Sequence, residues 1–387
     1  MTDATSASTP APVPAPKVFK LRAPRLPDGL DTPAVVIDLD VVERNARRLG
    51  DELAQRGIAL RPHAKTHKSI KLARIQLDAG AHGITVGTLG EAEVFAGAGA
   101  GLDDLFIAYP IWAVGPKAAR LRTLQDKERL TLSVGFDSIA GAERLAAAVK
   151  GSVRPLRVVL ELDPGNRRTG APPDQAGEIA AAARGFGLEV LGVFTHGGHS
   201  YGFGLAAPAG ADEVAALTTG AAALRAQGIE PRVISAGSTP TELTAAVAPV
   251  NEIRAGTYLI GDRQQAVIGA VPSDGIAIAV AATVVSVAVA GQVVIDAGAK
   301  TLTKDVAPYL TGYGLIPAYP DAIIERVSDY HGVVRIPEGT PSPKVGEVVA
   351  VIPNHVCPVI DLRDTFIATR SGTVVGIWPV DARGRSG

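Results

Sequence analysis

From Ile58 onward the chain repeats one pattern, and that pattern limits the folds open to it. Short apolar runs recur at Ile58–Leu60, Gly83–Val86, Asp104–Ala108, Thr131–Val134, Leu156–Leu162, Leu188–Phe194, Arg232–Ser235 and Ile253–Tyr258. Ala-, Leu- and Arg-rich stretches of helical periodicity separate most of them, and Thr88-Leu89-Gly90-Glu91 and Asp137-Ser138 mark helix starts between them. Eight strand-like runs alternating with helical connections over about two hundred residues is the arithmetic of a (β/α)8 barrel. A doubly wound open sheet is the alternative, disfavoured because no GxGxxG follows the first strand.

The rhythm changes after about Ser273. Ile276–Val280, Thr283–Val287, Gln292–Asp296, Glu347–Ile352 and Thr365–Ile377 are β-branched runs, the fourth opened by Gly346 and closed by Pro353. The expected fold is therefore α/β, a TIM-type barrel over 23–272 followed by a C-terminal β domain over 273–387. Before the barrel, residues 1–22 are rich in Ala, Pro, Ser and Thr, with too little apolar surface to fold, and read as a disordered tail. A strand at Ala34–Asp38 comes next and is assigned to the barrel or to the β domain. The carboxylate of Asp40 is expected to cap a helix running to about Gln55.

Composition excludes several classes of function. Lys and Arg number 38 against 39 Asp and Glu, so the chain lacks the basic excess of a nucleic-acid binder or a polybasic membrane-surface protein. One cysteine, Cys357, allows no internal disulfide, and a reducing cytoplasm is the expected compartment. No strongly apolar helical stretch reaches membrane-spanning length.

Chemistry gathers first at Arg61-Pro62-His63-Ala64-Lys65-Thr66-His67-Lys68, which follows the first barrel strand and so lies at the face where barrels carry their active sites. Flanking cations His63, His67 and Lys68 would depress the Lys65 amine and leave it neutral, the form that builds a Schiff base with an aldehyde cofactor. A solvated basic turn is the plain alternative. A second candidate is His355-Val356-Cys357. If extended geometry persists after the preceding strand, its imidazole and thiol project to one side and suit zinc, although a lone cysteine is more often a small hydrophobe.

Asp31-Thr32-Pro33 with its following strand, the Arg61–Lys68 segment, Asp296-Ala297-Gly298, His331-Gly332 and Pro353-Asn354-His355 together resemble the fold-type III pyridoxal-phosphate enzymes of the D-threonine aldolase and D-serine dehydratase family. The resemblance covers nearly the whole chain after the tail. It implies an alanine-racemase-like barrel with Lys65 holding pyridoxal 5'-phosphate; Lys300 ranks well below it. The cofactor phosphate is expected at Ser238 and Thr239, after the seventh strand, and at Gly256, Thr257 and Tyr258, in the eighth. Arg168 is expected near the cofactor ring, His196 stacked on or bonded to the cofactor, and Tyr201 on the substrate side. His196 and His199 would otherwise suggest a metal pair, but Gly197-Gly198 denies the helix that would align them.

The resemblance further implies a divalent metal on His355 and Cys357. Cysteine at the second position favours zinc and D-serine dehydration, whereas aspartate there goes with manganese or magnesium and aldol cleavage. The implied activity is lysis of D-β-hydroxy-α-amino acids. In the D-serine dehydratase form, Lys65 takes the Cα proton and the metal activates the β-hydroxyl. In the D-threonine aldolase form, His63 or His196 deprotonates that hydroxyl instead. A small-molecule D-amino acid is the expected partner, with no nucleic acid and no membrane, and a homodimer is the expected assembly.

Overall fold

The computed structural model describes residues 20–99 and 101–387. Strands β1 (Ala34–Asp38), β2 (Ala59–Leu60), β3 (Ile84–Val86), β4 (Asp104–Ile107), β5 (Thr131–Phe136), β6 (Arg157–Glu161), β7 (Glu189–Phe194), β8 (Val233–Ala236) and β9 (Glu252–Ile253) make up the first part of the chain. Helices α1 (Leu39–Gln55), α2 (Ile70–Asp78), α3 (Leu89–Phe95), α4 (Pro116–Gln125), α5 (Ile139–Ala148), α6 (Ala176–Gly185) and α7 (Ala206–Ala226) connect them. A short α8 (Arg263–Val267) follows.

Strands β2 to β9 form one parallel sheet in the order β2-β9-β8-β7-β6-β5-β4-β3. Its two ends meet: the Leu60 carbonyl accepts from the His82 amide at 3.0 Å, the Pro62 carbonyl from Thr85 at 2.9 Å, and His63 bridges Thr85. The parallel strands thus curl on themselves with the helices outside. Local signals act as their chemistry requires, since Thr88 caps α3 through the Glu91 amide at 3.0 Å and Ser138 caps α5 through Gly141 at 3.2 Å.

The C-terminal part adds β10 (Ile278–Ser286), β11 (Gln292–Ile295), β12 (Ile323–Val327), β13 (Gly332–Arg335), β14 (Val348–Val351), β15 (Thr365–Arg370) and β16 (Thr373–Pro379). It also carries α9 (Ala299–Leu302) and α10 (Val356–Asp361). Its mixed sheet runs β12-β13-β11-β10-β1-β15-β16, with β14 also on β10. Strand β1 therefore belongs to this sheet, antiparallel to β10 and parallel to β15. The chain enters through the second sheet before it builds the first.

Several expectations need correction. The tail expected over 1–22 lies mostly outside the described residues, but Leu21 is buried and the Arg22 amide donates to Ser273, so the chain is already packed there. Helix α1 is capped by Asp38, whose carboxylate accepts from the Asp40 amide at 2.9 Å. Asp40 instead accepts from the Ser371 amide at 2.8 Å. The runs 276–280 and 283–287 merge into one strand, β10, with a register shift between Val284 and Ser286 on β11. The run 365–377 splits into a hairpin because Ser371 and Gly372 both take positive φ. The eighth barrel strand ends at Ile253 rather than Tyr258, and Thr257–Leu259 forms a 3-10 turn.

Inside the ring a charged network replaces part of the apolar core. Glu252 accepts from Arg61 Nε at 2.8 Å and from Ser235 Oγ at 2.5 Å, with His82 Nε2 at 3.1 Å. Burial raises the Glu252 carboxyl, but the bonds from His82, Arg61 and Ser235 outweigh it and hold the value at about 2. A folded value depressed below the ordinary 4.5 adds stability that is present above that pH and lost as pH falls from about 4.5 to about 2. Glu252→Gln should therefore cost on the order of 3 kcal/mol in urea unfolding at neutral pH. Its stability should also decline less than the wild type's between pH 4.5 and pH 3.

Candidate active site

The turn after β2 carries the lysine. Residues Ala64–Thr66 form a single 3-10 turn opened by His63, whose ring Nδ1 accepts from the Lys65 amide at 3.4 Å. Lys65 lines a cavity at the carboxyl end of the barrel. His63, Arg168, His196 and Tyr201 line it together with Ser238, Thr239, Gly256 and Thr257.

Tyr258 is the one expected cofactor contact that the fold directs elsewhere. Its ring is buried in the core, with the hydroxyl accepting from Gln76 Nε2 at 3.1 Å. Once the chain leaves the sheet at Arg254, the turn at Thr257–Leu259 points this side chain at α2 instead of the cavity. Lys300 lies outside as well, half-exposed and bonded to the Tyr330 hydroxyl at 3.0 Å.

One end of the cavity could take an anion. Among the described residues, the amides of Thr239, Gly256 and Thr257 find no protein acceptor. Buried amides are rarely left unpaired, and three lining one cavity could hold a phosphate. Bonds behind these residues fix them. Ser238 Oγ meets Ser200 Oγ and Thr241 Oγ1 at 3.0 Å each, Thr239 Oγ1 accepts from the Tyr258 amide at 3.1 Å, and Glu213 accepts from Gly237 N at 2.9 Å and Thr195 Oγ1 at 3.0 Å. Gly256 is required by closeness, since a Cβ there would stand 2.8 Å from Thr66 Oγ1 and 3.0 Å from the His63 carbonyl.

Arg254 lines the cavity too, and sequence reasoning missed it. It is buried, donates to Ser235 Oγ and the Thr195 carbonyl, and sits over the Phe194 and Phe106 rings at 5.0 and 5.8 Å. Its place at the carboxyl end of the last barrel strand was the available signal. Arg168 stands at the mouth, more than half-exposed, 4.0 Å from Glu161.

The charges around Lys65 differ from those expected. Enclosure in the cavity pushes the Lys65 amine below its ordinary value, and Arg168 and Arg254 add repulsion while Cys357 and Glu91 oppose it. His67 contributes little charge. It is buried, held at about 4 by desolvation, and bonded to Gln76 at 3.1 Å. Lys68 is paired with Asp361 at 2.6 Å and Glu91 at 3.5 Å, so its charge is answered locally. His63 and His196 are both pushed well below the usual imidazole value, first by desolvation and then by Lys65, and remain neutral at physiological pH.

The second candidate pair lies beside this turn. His355 ends the extended segment and caps α10, and Cys357 is the second residue of that helix, so the expected extended geometry does not persist. The helix nevertheless brings Cys357 Sγ to 3.7 Å from Thr66 Oγ1, next to Lys65. Asp305 Oδ2 lies 2.5 Å from His355 Nδ1, the arrangement that orients metal-binding imidazoles. Asn354 clamps the loop behind it by donating to the carbonyls of Gly312 at 2.8 Å and Asp305 at 3.2 Å. Burial pushes the Cys357 thiol up, but the bond and charge from His355 more than reverse this and favour thiolate. Among the described residues no cluster of three or more His, Cys, Asp and Glu forms a metal cage. A nitrogen and a thiolate fit a borderline-soft ion with positions left for substrate oxygens. In the other histidine pair, His199 is engaged by Asp212 at 3.1 Å.

Residues 37–264 match the family described as Alanine racemase, N-terminal domain, and residues 277–369 match the "Putative serine dehydratase domain". The chain is 34% identical to a D-threo-3-hydroxyaspartate dehydratase from Delftia sp. (strain HT23), covering 85% of this chain and 91% of the relative. It is 32% identical to a D-threonine aldolase from Arthrobacter sp., covering 92% and 94%. A D-threonine aldolase structure from Filomicrobium marinum superposes with a TM-score of 0.83 at 32% identity, covering 92% and 96%. Alanine racemase from Clostridium difficile 630 shares the fold, with a TM-score of 0.67 at 14% identity.

Pyridoxal 5'-phosphate added to the protein should give a visible absorption band that Lys65→Ala abolishes. Gly256→Ala should weaken cofactor affinity by about tenfold or more, because the added methyl displaces the turn that aims the free amides. Absorbance titration measures both.

Proposed function

We propose that this chain, which belongs to the family joining the alanine racemase N-terminal domain to the serine dehydratase domain, is a pyridoxal-phosphate- and divalent-metal-dependent dehydratase of D-3-hydroxy-α-amino acids. Curated relatives of the chain include both dehydratases and aldolases. One observation carries the reading: the Cys357 thiol comes within 3.7 Å of the hydroxyl of Thr66, which lines the cavity beside Lys65. Solved structures of D-threo-3-hydroxyaspartate dehydratase add support, since they include a cysteine-to-alanine mutant in the metal-free form and a histidine-to-alanine mutant two positions away.

The bound groups supply an electron sink for the carbanion at Cα and Lewis acidity at the β-hydroxyl. Lys65 Nζ, its basicity lowered by enclosure, would form the covalent link and, once freed, accept the Cα proton. The amides of Thr239, Gly256 and Thr257 would bind the phosphate, Arg254 and Arg168 would neutralise charge on the cofactor, and His196 and Tyr201 would bound the substrate. His355 and Cys357 would hold the metal, zinc by the softness of this donor pair. Loss of the β-hydroxyl as water would leave an enamine, whose hydrolysis takes up one water and gives a 2-oxo acid and ammonia.

The neutral imidazoles of His63 and His196 support a second reading. Either accepts the β-hydroxyl proton, and the Cα–Cβ bond then breaks to give glycine and an aldehyde. Incubation with D-serine and D-threonine separates the two. A 2-oxo acid and ammonia from both is the expected outcome; glycine and acetaldehyde from D-threonine, with no oxo acid from D-serine, would overturn it.

Lys65→Ala should lower kcat by about 10³-fold or more in the cofactor-loaded protein. Chelation should abolish turnover reversibly. Asp305→Asn should weaken zinc binding about 10- to 100-fold by removing the acceptor that orients His355, measured by competition with a metal indicator.

A further inference from the structure

Asp262 is fully buried and is not among the residues lining the cavity. A carboxylate in such a place is costly unless its oxygens are bonded, and here both are. Oδ1 accepts from the Gln265 amide at 2.8 Å and so caps α8, while Oδ2 accepts from the Val356 amide at 3.1 Å. Val356 is the residue between His355 and Cys357, and the backbone changes course there. His355 is extended, at φ −133° and ψ 117°, whereas Val356 is the first residue of α10. That change sets the angle between the imidazole and the thiol, which in a continuous strand would project to one side. The first amides of a helix are usually covered by the side chain of the preceding residue. His355 makes no such cap, and its ring is held by Asp305 instead. A ring cannot fold back over its own helix and also face a metal, so the cap on Val356 comes from another segment.

The approach of that segment is itself fixed. The Arg263 amide donates to the Pro353 carbonyl and the Gln264 amide to the Asn354 carbonyl, at 3.0 Å each, so the first turn of α8 lies against the chain that leads from β14 into His355. Arg263 Nη1 adds a bond to Asn354 Oδ1 at 3.1 Å. On the other side of Asp262, Gly261 takes φ +63° and its amide donates to the Thr257 carbonyl at 2.8 Å. A Cβ at Gly261 would stand 2.9 Å from the Gly275 carbonyl oxygen. Asp262 therefore hangs from the same turn as Thr257, which lines the cavity.

On the metal reading above, we infer that Asp262 is a positioning residue of the metal pair: by holding the Val356 amide, its Oδ2 fixes the turn that aims His355 and Cys357 at one ion. Serine and threonine separate this role from helix capping. Each is a good N-cap, so Asp262→Ser and Asp262→Thr keep an acceptor for the Gln265 amide. Their single short hydroxyl does not reach Val356 as well, so only the tie to the metal pair is lost.

The cofactor-loaded protein is depleted of metal and titrated with zinc against a metal indicator, and with cobalt, whose near-ultraviolet charge-transfer band reports a thiolate ligand. Wild type should show that band and Cys357→Ala should not. Both Asp262 variants should bind zinc about 10- to 100-fold more weakly and give a weakened or shifted cobalt band. Their affinity for pyridoxal 5'-phosphate, read from its visible absorption, should stay that of the wild type. Wild-type zinc affinity with an unchanged cobalt band in either folded variant overturns the inference, and so does an equal loss of cofactor affinity, which would make Asp262 a structural cap only. If neither variant folds, hydrogen exchange at the Val356 amide of the metal-depleted wild type decides. Protection supports the tie, and exchange at the rate of a free peptide overturns it. No cobalt band in the wild type removes the metal reading and the inference with it, a result distinct from intact metal binding by the variants.

Discussion

Lys68 Nζ lies 2.6 Å from Asp361 and 3.5 Å from Glu91, and this partly buried triad joins three separate elements of the chain. Lys68 ends the turn that carries Lys65, Glu91 sits in the first turn of α3, and Asp361 ends the helix that carries Cys357. Removing one member would strand the other charges out of water, an expensive change, so the triad holds the barrel and the β domain in one register. Bonds on both sides of it serve the same end. The Ala382 amide donates to the Lys68 carbonyl, and Asp381 accepts from the Ile70 amide at the start of α2. The 3.7 Å approach of Cys357 to Thr66 is a consequence of this seam.

The path of the chain makes the seam possible. Because β1 is built into the second sheet before the barrel begins, the β domain flanks the barrel in sequence at both ends and cannot swing away without breaking β1 from β10 and β15. Thr32 strengthens the join by donating to Asp296 at 2.6 Å, and Asp296 accepts the Thr283 amide at 2.8 Å. Gly298 lies so close to Ser328 and His331 that a Cβ there would meet the Ser328 carbonyl at 2.4 Å. Three of the segments that carry the family resemblance, at Asp31-Thr32-Pro33, Asp296-Ala297-Gly298 and His331-Gly332, are therefore stitches of the β domain rather than parts of the cavity. Asn354 in Pro353-Asn354-His355 belongs to both, since it clamps the loop whose Asp305 orients His355.

Electrostatics at the site follow from enclosure more than from neighbouring residues in the chain. His63, His67 and Lys68 flank Lys65 in sequence, yet two are neutral and one is paired. The cations that do face the lysine, Arg168 and Arg254, arrive from distant strands. Likewise the Glu252 carboxylate is stabilised far below its usual range by donors from three strand ends, and through Ser235 it supports Arg254 beneath the cavity.

What the sequence determined by itself was whatever depends on local periodicity and on residue type. The eight-run rhythm gave the parallel ring, the β-branched runs gave the second sheet, and the position of Lys65 after the first barrel strand placed it at the working face. Each of these follows from the two- or 3.6-residue repeat of a strand or helix and needs no distant partner. The tertiary structure decided what depends on long-range pairing. It moved β1 into the β domain, ended the last barrel strand at Ile253 and so withdrew Tyr258, added Arg254, and turned His355-Val356-Cys357 from a strand into a helix start. A side chain's direction at the end of an element is set by where the chain is next tied down. In this protein those ties are made by residues as far apart as Lys68 and Asp361.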